Sequence, residues 1–201
     1  MIVIDGTRSG LEVTNFRNLE ELLVKVMEDG YLQDRVVTDV KINDETFSEI
    51  YPHQAEDIET RNIDSVEIMT VPVKAMAVDI TRELYKVVRL MYEGGKHVAE
   101  LFRRADDAEA LEMYQDLLDV TRDFLGMIGV LRDEFSLKEH AEFNQAVAEI
   151  SNLFSEMVEV MENEDWILLA DLMEYEFLPA VDRWKKVVAQ LREDIRDTGK
   201  A

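Results

Sequence analysis

The sequence predicts an α+β chain: a small sheet-and-helix domain over residues 1–71, then an antiparallel, up-down-up-down four-helix bundle over residues 72–201. Three observations carry this reading. Apolar residues recur with a period of two through the first third of the chain, as they do on strands. After Pro72 the spacing changes to alternating steps of four and three, as on helices that pack through heptads. The joints between the four apolar stripes are a few residues long, and connections that short force neighbouring helices to run antiparallel.

In the first domain, "MIVID" and "LEVTNF" are expected as short strands around the turn "GTRSG". "NLEELLVKVMEDG" is a helix: Asn18 with Glu21 forms a capping-box pattern, Leu19, Leu22, Leu23 and Val26 share one face, and Gly30 supplies the stop. "RVVTDVKI" is a strand, "ND" a turn, "ETFSEI" a return strand, "HQAEDIETR" a helical turn and "SVEIMTV" a last strand. This order of elements resembles the ubiquitin-like β-grasp fold, with "KINDETFSEI" and "NIDSVEIMTV" similar to its third-to-fourth and final strands. The resemblance rests on element order and implies a docking module. Modifier and sulfur-carrier members of that fold end in a free Gly-Gly tail. Here the last strand runs on into Val71, Pro72 and Val73, so conjugation and thiocarboxylate chemistry are not implied.

The helical part begins at Pro72, a residue favoured at the first helical position. Its first helix presents Val73, Ala77, Ile80, Leu84, Val87, Met91, Val98 and Leu101; Gly94 fills the missing position, so one long helix is expected to run through "EGGKH" with a close backbone approach there. The second carries Ala110, Tyr114, Leu117, Thr121, Phe124, Ile128, Leu131 and Phe135, and the third Phe143, Val147, Ile150, Phe154, Met157 and Met161. The fourth carries Trp166, Ala170, Met173, Phe177, Ala180, Trp184, Val187 and Leu191. Caps are expected from Asp106 with Glu109, Ser136 with Glu139, and Asn163.

Charge narrows the function. The 201 residues include 44 acidic and 22 basic side chains, a formal net charge of -22. That field repels phosphate backbones and anionic bilayers, so neither nucleic acid nor a membrane surface is an expected partner; basic proteins and cations are. With no cysteine there is no disulfide, thiol catalysis or thiolate metal site. No run approaches about 18 apolar residues, so no membrane span is expected. The start "MIVIDGTRSG" lacks the order of a signal peptide, and a cytoplasmic location is expected.

The stretch "DWILLADLMEYEF" places Asp165, Asp171, Glu174 and Glu176 in one apolar run. On a wheel of about 100° per residue, with Met173 facing the core, these acids point in at least three directions, as solvated helix edges do and ligands of one ion do not. The wheel also places Ile167, Leu168, Leu172, Tyr175 and Leu178 away from the Met173 stripe, around Asp171. A helix that is apolar nearly all round is covered on all sides. The face made by Ile167, Leu168, Asp171, Leu172, Tyr175 and Leu178 is therefore expected to pack on the first domain, on a second copy or on another protein. Pro179 cannot donate to the Tyr175 carbonyl, and a kink is expected there.

Other chemistry is poorly supplied. The Glu-x-x-His motif of di-iron bundles is absent. Glu93, His97 and Glu100 follow at i, i+4 and i+7 and are a weak spacing match to a metal site; Arg104 continues the stripe, as in a surface salt-bridge ladder. His53 follows Pro52 in the first domain, and His140 follows Glu139. No Gly-rich phosphate loop and no nucleophile with a recognisable base is present, so no catalytic residue and no cofactor is expected. The expected function is a non-enzymatic, cytoplasmic protein–protein interaction module that docks a partner or forms a homo-oligomer through the last helix. The two-part pattern and "LLADLMEYEFLP" resemble small uncharacterised bacterial proteins. Two alternatives stand beside this: a metal- or ligand-binding helical bundle, including an enzyme, and a flagellar or secretion chaperone, which the acidic helical part resembles in size and character.

Overall fold

A computed structural model describes residues 1–28, 32–48, 54–137 and 140–198, and it divides into two compact units, Met1–Met76 and Ala77–Ala201. The first unit contains β1 (Ile2–Ile4), β2 (Thr7–Arg8), α1 (Leu19–Glu28), β3 (Arg35–Ile42), β4 (Glu45–Phe47) and β5 (Val66–Pro72), with short 3-10 turns at Val13–Asn15, Ala55–Asp57 and Thr60–Asn62. The sheet order is β2-β1-β5-β3-β4; β1 and β5 are parallel and the other pairs antiparallel. This is the α+β, β-grasp-like arrangement expected from the order of elements. Along β5, Val66, Ile68 and Thr70 are buried and alternate with half-buried residues, the period-two pattern of a strand with one face on a core. Leu19, Leu22 and Val26 of α1 join Ile2, Val66 and Ile68 in that core.

The first hairpin differs from expectation. Its turn is the pair Asp5 and Gly6, at φ +47° and +76°, and Thr7 already pairs with Ile4. A type I′ two-residue hairpin loop needs positive φ at both central residues, and Asp-Gly supplies it. The strand expected at "LEVTNF" is instead the 3-10 turn Val13–Asn15. Asp5 also ties strands together. Its carboxylate accepts from the Thr70 amide at 2.8 Å, the Thr70 hydroxyl at 2.6 Å and Arg35 at 3.0 Å. The Thr70 bonds, ahead of Arg35, hold its carboxyl below the ordinary value. At α1, Asn18 accepts from the Glu21 amide at 2.9 Å as expected, while Glu21 reaches back to the Arg17 amide at 2.8 Å. Gly30, His53 and Glu139, and the end of the expected "ETFSEI" strand, lie outside the described residues.

Among the described residues the helical part has four rods: α2 (Val73–Arg103), α3 (Asp107–Glu134), α4 (Ala141–Glu162) and a composite of α5 (Trp166–Leu172), a π segment (Met173–Phe177) and α6 (Leu178–Asp197). Contacts fix their directions. Phe102 stacks on Trp166 at 5.6 Å while Lys185 lies over Tyr92 at 5.6 Å, so the last rod runs antiparallel to α2. Lys186 pairs with Glu142 and Arg183 with Glu149, so it also runs antiparallel to α4. In α3 the stripe Ala110, Tyr114, Leu117, Thr121, Phe124, Ile128 and Leu131 is buried as expected, with Phe135 half-buried. In α2 the seam is Ala77, Thr81, Leu84, Val88, Met91, Gly95 and Val98, so the expected positions at Ile80, Val87 and Gly94 each move by one residue, while Leu101 is buried as expected and Phe102 beside it is buried too. Ile80, Val87 and Gly94 lie half-buried beside it, and the inward glycine is Gly95.

Two caps also differ. Asp165, not Asn163, caps the last rod, its Oδ1 accepting from the Leu168 amide at 3.0 Å. Asn163 closes α4, and its side chain donates to the Glu159 carbonyl at 2.7 Å. Asp106 occupies the N-cap of α3 without a side-chain cap bond.

Candidate functional site

The disturbance expected at Pro179 takes a specific form. Proline lacks an N–H and its ring crowds the carbonyl four residues back. The turn before it widens to i→i+5 bonding, and the Leu178 N–H donates to the Met173 carbonyl. This π turn decides which part of the predicted apolar face is core. A wheel at constant angle assumes an unbroken α-helix. One extra residue in the turn carries Leu178 inward, where it and Phe177 meet Gly95: a Cβ on Gly95 would lie 3.0 Å from the Phe177 ring and 3.1 Å from Leu178 Cδ2. Leu172, on the flank of the stripe, is buried in the same helical core. Leu172 and Leu178 are therefore covered within their own unit and are not available to a partner.

Ile167, Leu168 and Tyr175 remain outside, 56%, 44% and 66% exposed. Spacings of three and four, with the wide turn after Leu172, set Tyr175 above Asp171, so these apolar residues and Asp171 share one side of the rod. Asp171 is half-buried and paired with α2: Arg103 Nη2 donates to Asp171 Oδ1 at 2.8 Å and to Glu174 Oε2 at 2.6 Å. Those two bonds, Glu174 first, raise the Arg103 guanidinium above its ordinary pKa. The four acids of the stretch thus have three roles. Asp165 caps the helix, Asp171 and Glu174 hold Arg103, and Glu176 is exposed. Arg103 is the residue the helical wheel missed. The available signal is that residues 141–182 contain no Lys, Arg or His, so any ionic partner for Asp171 must come from another part of the chain.

The other candidates do not assemble. Glu93 and His97 are exposed, and the half-buried Glu100 lies 3.9 Å from Arg104. Among the described residues no three His, Asp or Glu side chains converge to hold a metal ion. At the opposite end of the last rod, a cavity of about 140 Å³ is walled by Ile128, Phe143, Val187 and Leu191 and edged by Arg132, His140 and Asp194. His140 Nε2 lies 2.8 Å from Asp194 Oδ2, and Gln190 donates to Asp194 Oδ1 at 2.8 Å. Among the described residues no helix is long and apolar enough to cross a membrane.

Residues 1–71 match the Domain of unknown function (DUF8043), and residues 79–187 match the Domain of unknown function (DUF8042). No curated protein and no solved structure matches the chain. With its second match spanning more than half of its length, the chain belongs to the family of the Domain of unknown function (DUF8042).

Proposed function

We propose that this chain is a non-enzymatic protein–protein interaction module whose docking face is the Ile167, Leu168 and Tyr175 side of the last rod. The observation that carries this is the cluster of large apolar side chains left in water beside a π turn. Burying apolar surface is worth about 25 cal/mol per Å², so an exposed cluster of this kind is an energetic reason to bind. π turns also concentrate at functional positions. The Arg103 clamp ties the face to α2, which gives a partner a pre-ordered surface. The acidic, cysteine-free composition fits a cytoplasmic protein of bacterial type.

A photoreactive amino acid placed at Tyr175 in the native host tests this. A discrete crosslinked species of defined mass, absent when the probe sits at exposed Glu156, is the expected result. Identical smears from both positions would reject the docking face. The ligand-binding alternative draws on one observation, the cavity beside His140 and Asp194. A metabolite panel screened by thermal shift, with His140→Gln as the control, tests it separately.

A further inference from the structure

The charge around the docking face identifies the chemistry of its partner. Residues 141–182 carry eleven carboxylates and no base. Five of the eleven find cations elsewhere: Glu142 on Lys186, Glu149 on Arg183, Asp171 and Glu174 on Arg103, and Asp182 on Lys185. The other six, Glu156, Glu159, Glu162, Glu164, Asp165 and Glu176, have no basic partner among the described residues. In the chain Glu164 and Asp165 stand three residues before Ile167 and Leu168, with the Asp165 carboxylate accepting from the Leu168 amide, and exposed Glu176 follows Tyr175. The segment that carries the apolar face is thus bracketed by carboxylates.

We infer that its occupant is a basic amphipathic helix of another protein, with apolar side chains at three- and four-residue spacing flanked by lysine or arginine. This rests on the docking reading above and adds the partner's chemistry. Complementary charge sets the choice of partner and speeds encounter. A second copy fits less well on two counts. A two-fold contact brings the same patch of each copy together, so the uncompensated carboxylates would meet each other. A stable interface also buries about 800 Å² per partner, far more than three partly exposed side chains provide. A short helix that adds ionic contacts to a small apolar anchor suits the surface, as in the helix-in-groove mode of recognition.

Isothermal titration of the full chain with synthetic peptides tests the inference. The probes are an amphipathic leucine/lysine helix, a peptide of the same composition with its amphipathicity scrambled, and a leucine/glutamate helix. The leucine/lysine helix should bind with a micromolar dissociation constant that weakens as salt rises from about 50 to about 300 mM. The scrambled peptide should bind at least about tenfold more weakly, and the leucine/glutamate helix should not bind. Ile167→Ser with Tyr175→Ser should reduce the affinity about tenfold or more. Glu164→Lys with Glu176→Lys should do the same while leaving the apolar face intact, so the reading survives a folding defect in either variant. Equal binding to all variants, or equal binding of the scrambled peptide, would reduce the attraction to bulk charge and overturn the inference. Absence of binding alongside a discrete Tyr175 crosslink would overturn the partner chemistry and leave the docking face standing. A crosslinked species of twice the chain mass, with light scattering showing a dimer that the Ile167 and Tyr175 changes dissolve, would make a second copy the occupant and overturn it as well.

Discussion

Alanine at Gly94 and at Gly95 should shift stability in opposite directions. Both glycines lie inside α2, where glycine costs about 1 kcal/mol relative to alanine. At Gly94 a Cβ would meet only Leu117 Cδ1, at 3.6 Å, an ordinary contact, so Gly94→Ala should stabilise by about 0.5–1 kcal/mol. At Gly95 the same atom would lie 3.0 Å from both Cδ1 and Cε1 of Phe177 and 3.1 Å from Leu178 Cδ2. The Phe177 ring has little room to give: it is 1% exposed, stacks on Phe154 at 6.1 Å and belongs to the π turn. Overpacking of this kind costs about 1–3 kcal/mol, and subtracting the propensity gain of about 1 leaves a net loss of up to about 2 kcal/mol. Urea unfolding followed by far-ultraviolet circular dichroism would place the Gly94→Ala midpoint above wild type and the Gly95→Ala midpoint below it. A Gly95→Ala protein as stable as Gly94→Ala would refute the close approach of α2 to the π turn.

Three further outcomes follow from other positions. Leu172→Ala should cost about 2–5 kcal/mol as a core truncation, whereas Tyr175→Ala should stay within about 0.5 kcal/mol, both read from chemical unfolding. The Asp5 carboxyl is held below its ordinary 3.8 by its bonds to Thr70, so its stabilising effect is complete above that value and is lost as pH falls through the lower folded value. The gap in unfolding midpoint between wild type and Asp5→Asn should therefore close in acid, and a gap constant with pH would count against those bonds. Burial pushes the Tyr114 phenol from its ordinary 10.0 up to about 12, so absorbance titration of wild type against Tyr114→Phe should show one phenol ionising near that raised value, and the fold should lose stability as pH rises from about 10 toward it.

The stripe of α3 was legible in the sequence: its four- and three-residue steps run unbroken from Ala110 to Leu131, and all seven positions are buried. In α2 the pairs Ile80 and Thr81, Val87 and Val88, Gly94 and Gly95, and Leu101 and Phe102 leave two phases open. Hydropathy favours Ile80 over Thr81, yet Thr81 is the inward residue. Its hydroxyl donates to the Val78 carbonyl at 2.7 Å, so burial leaves no donor unpaired. The first hairpin was open to a local reading, since Asp-Gly is a strong two-residue turn signal, but the later "TRSG" competes with it as a loop. The π turn was signalled by Pro179 only as a disturbance. Its form depends on Gly95 of another helix giving Phe177 somewhere to go, and no local pattern in the last helix contains that information.

The same dependence links the buried core to the exposed face. One turn places Phe177 and Leu178 against Gly95 and leaves Tyr175 in water two residues away. Close-packed interiors transmit a displacement and do not absorb it. A methyl at Gly95 must therefore move the Phe177 ring, and with it the backbone that carries Tyr175 and the Glu174 carboxylate bound to Arg103. Gly95→Ala should then weaken binding of the leucine/lysine helix by several-fold, although Gly95 is buried and reaches no partner. Gly94→Ala, one residue away and free of that contact, should leave the affinity unchanged. Titration of both variants, at a denaturant-free temperature where each is fully folded, separates this effect from lost stability. Unchanged affinity in a destabilised Gly95→Ala protein would show that face and core move independently, and that the π turn shapes the core without setting the docking surface.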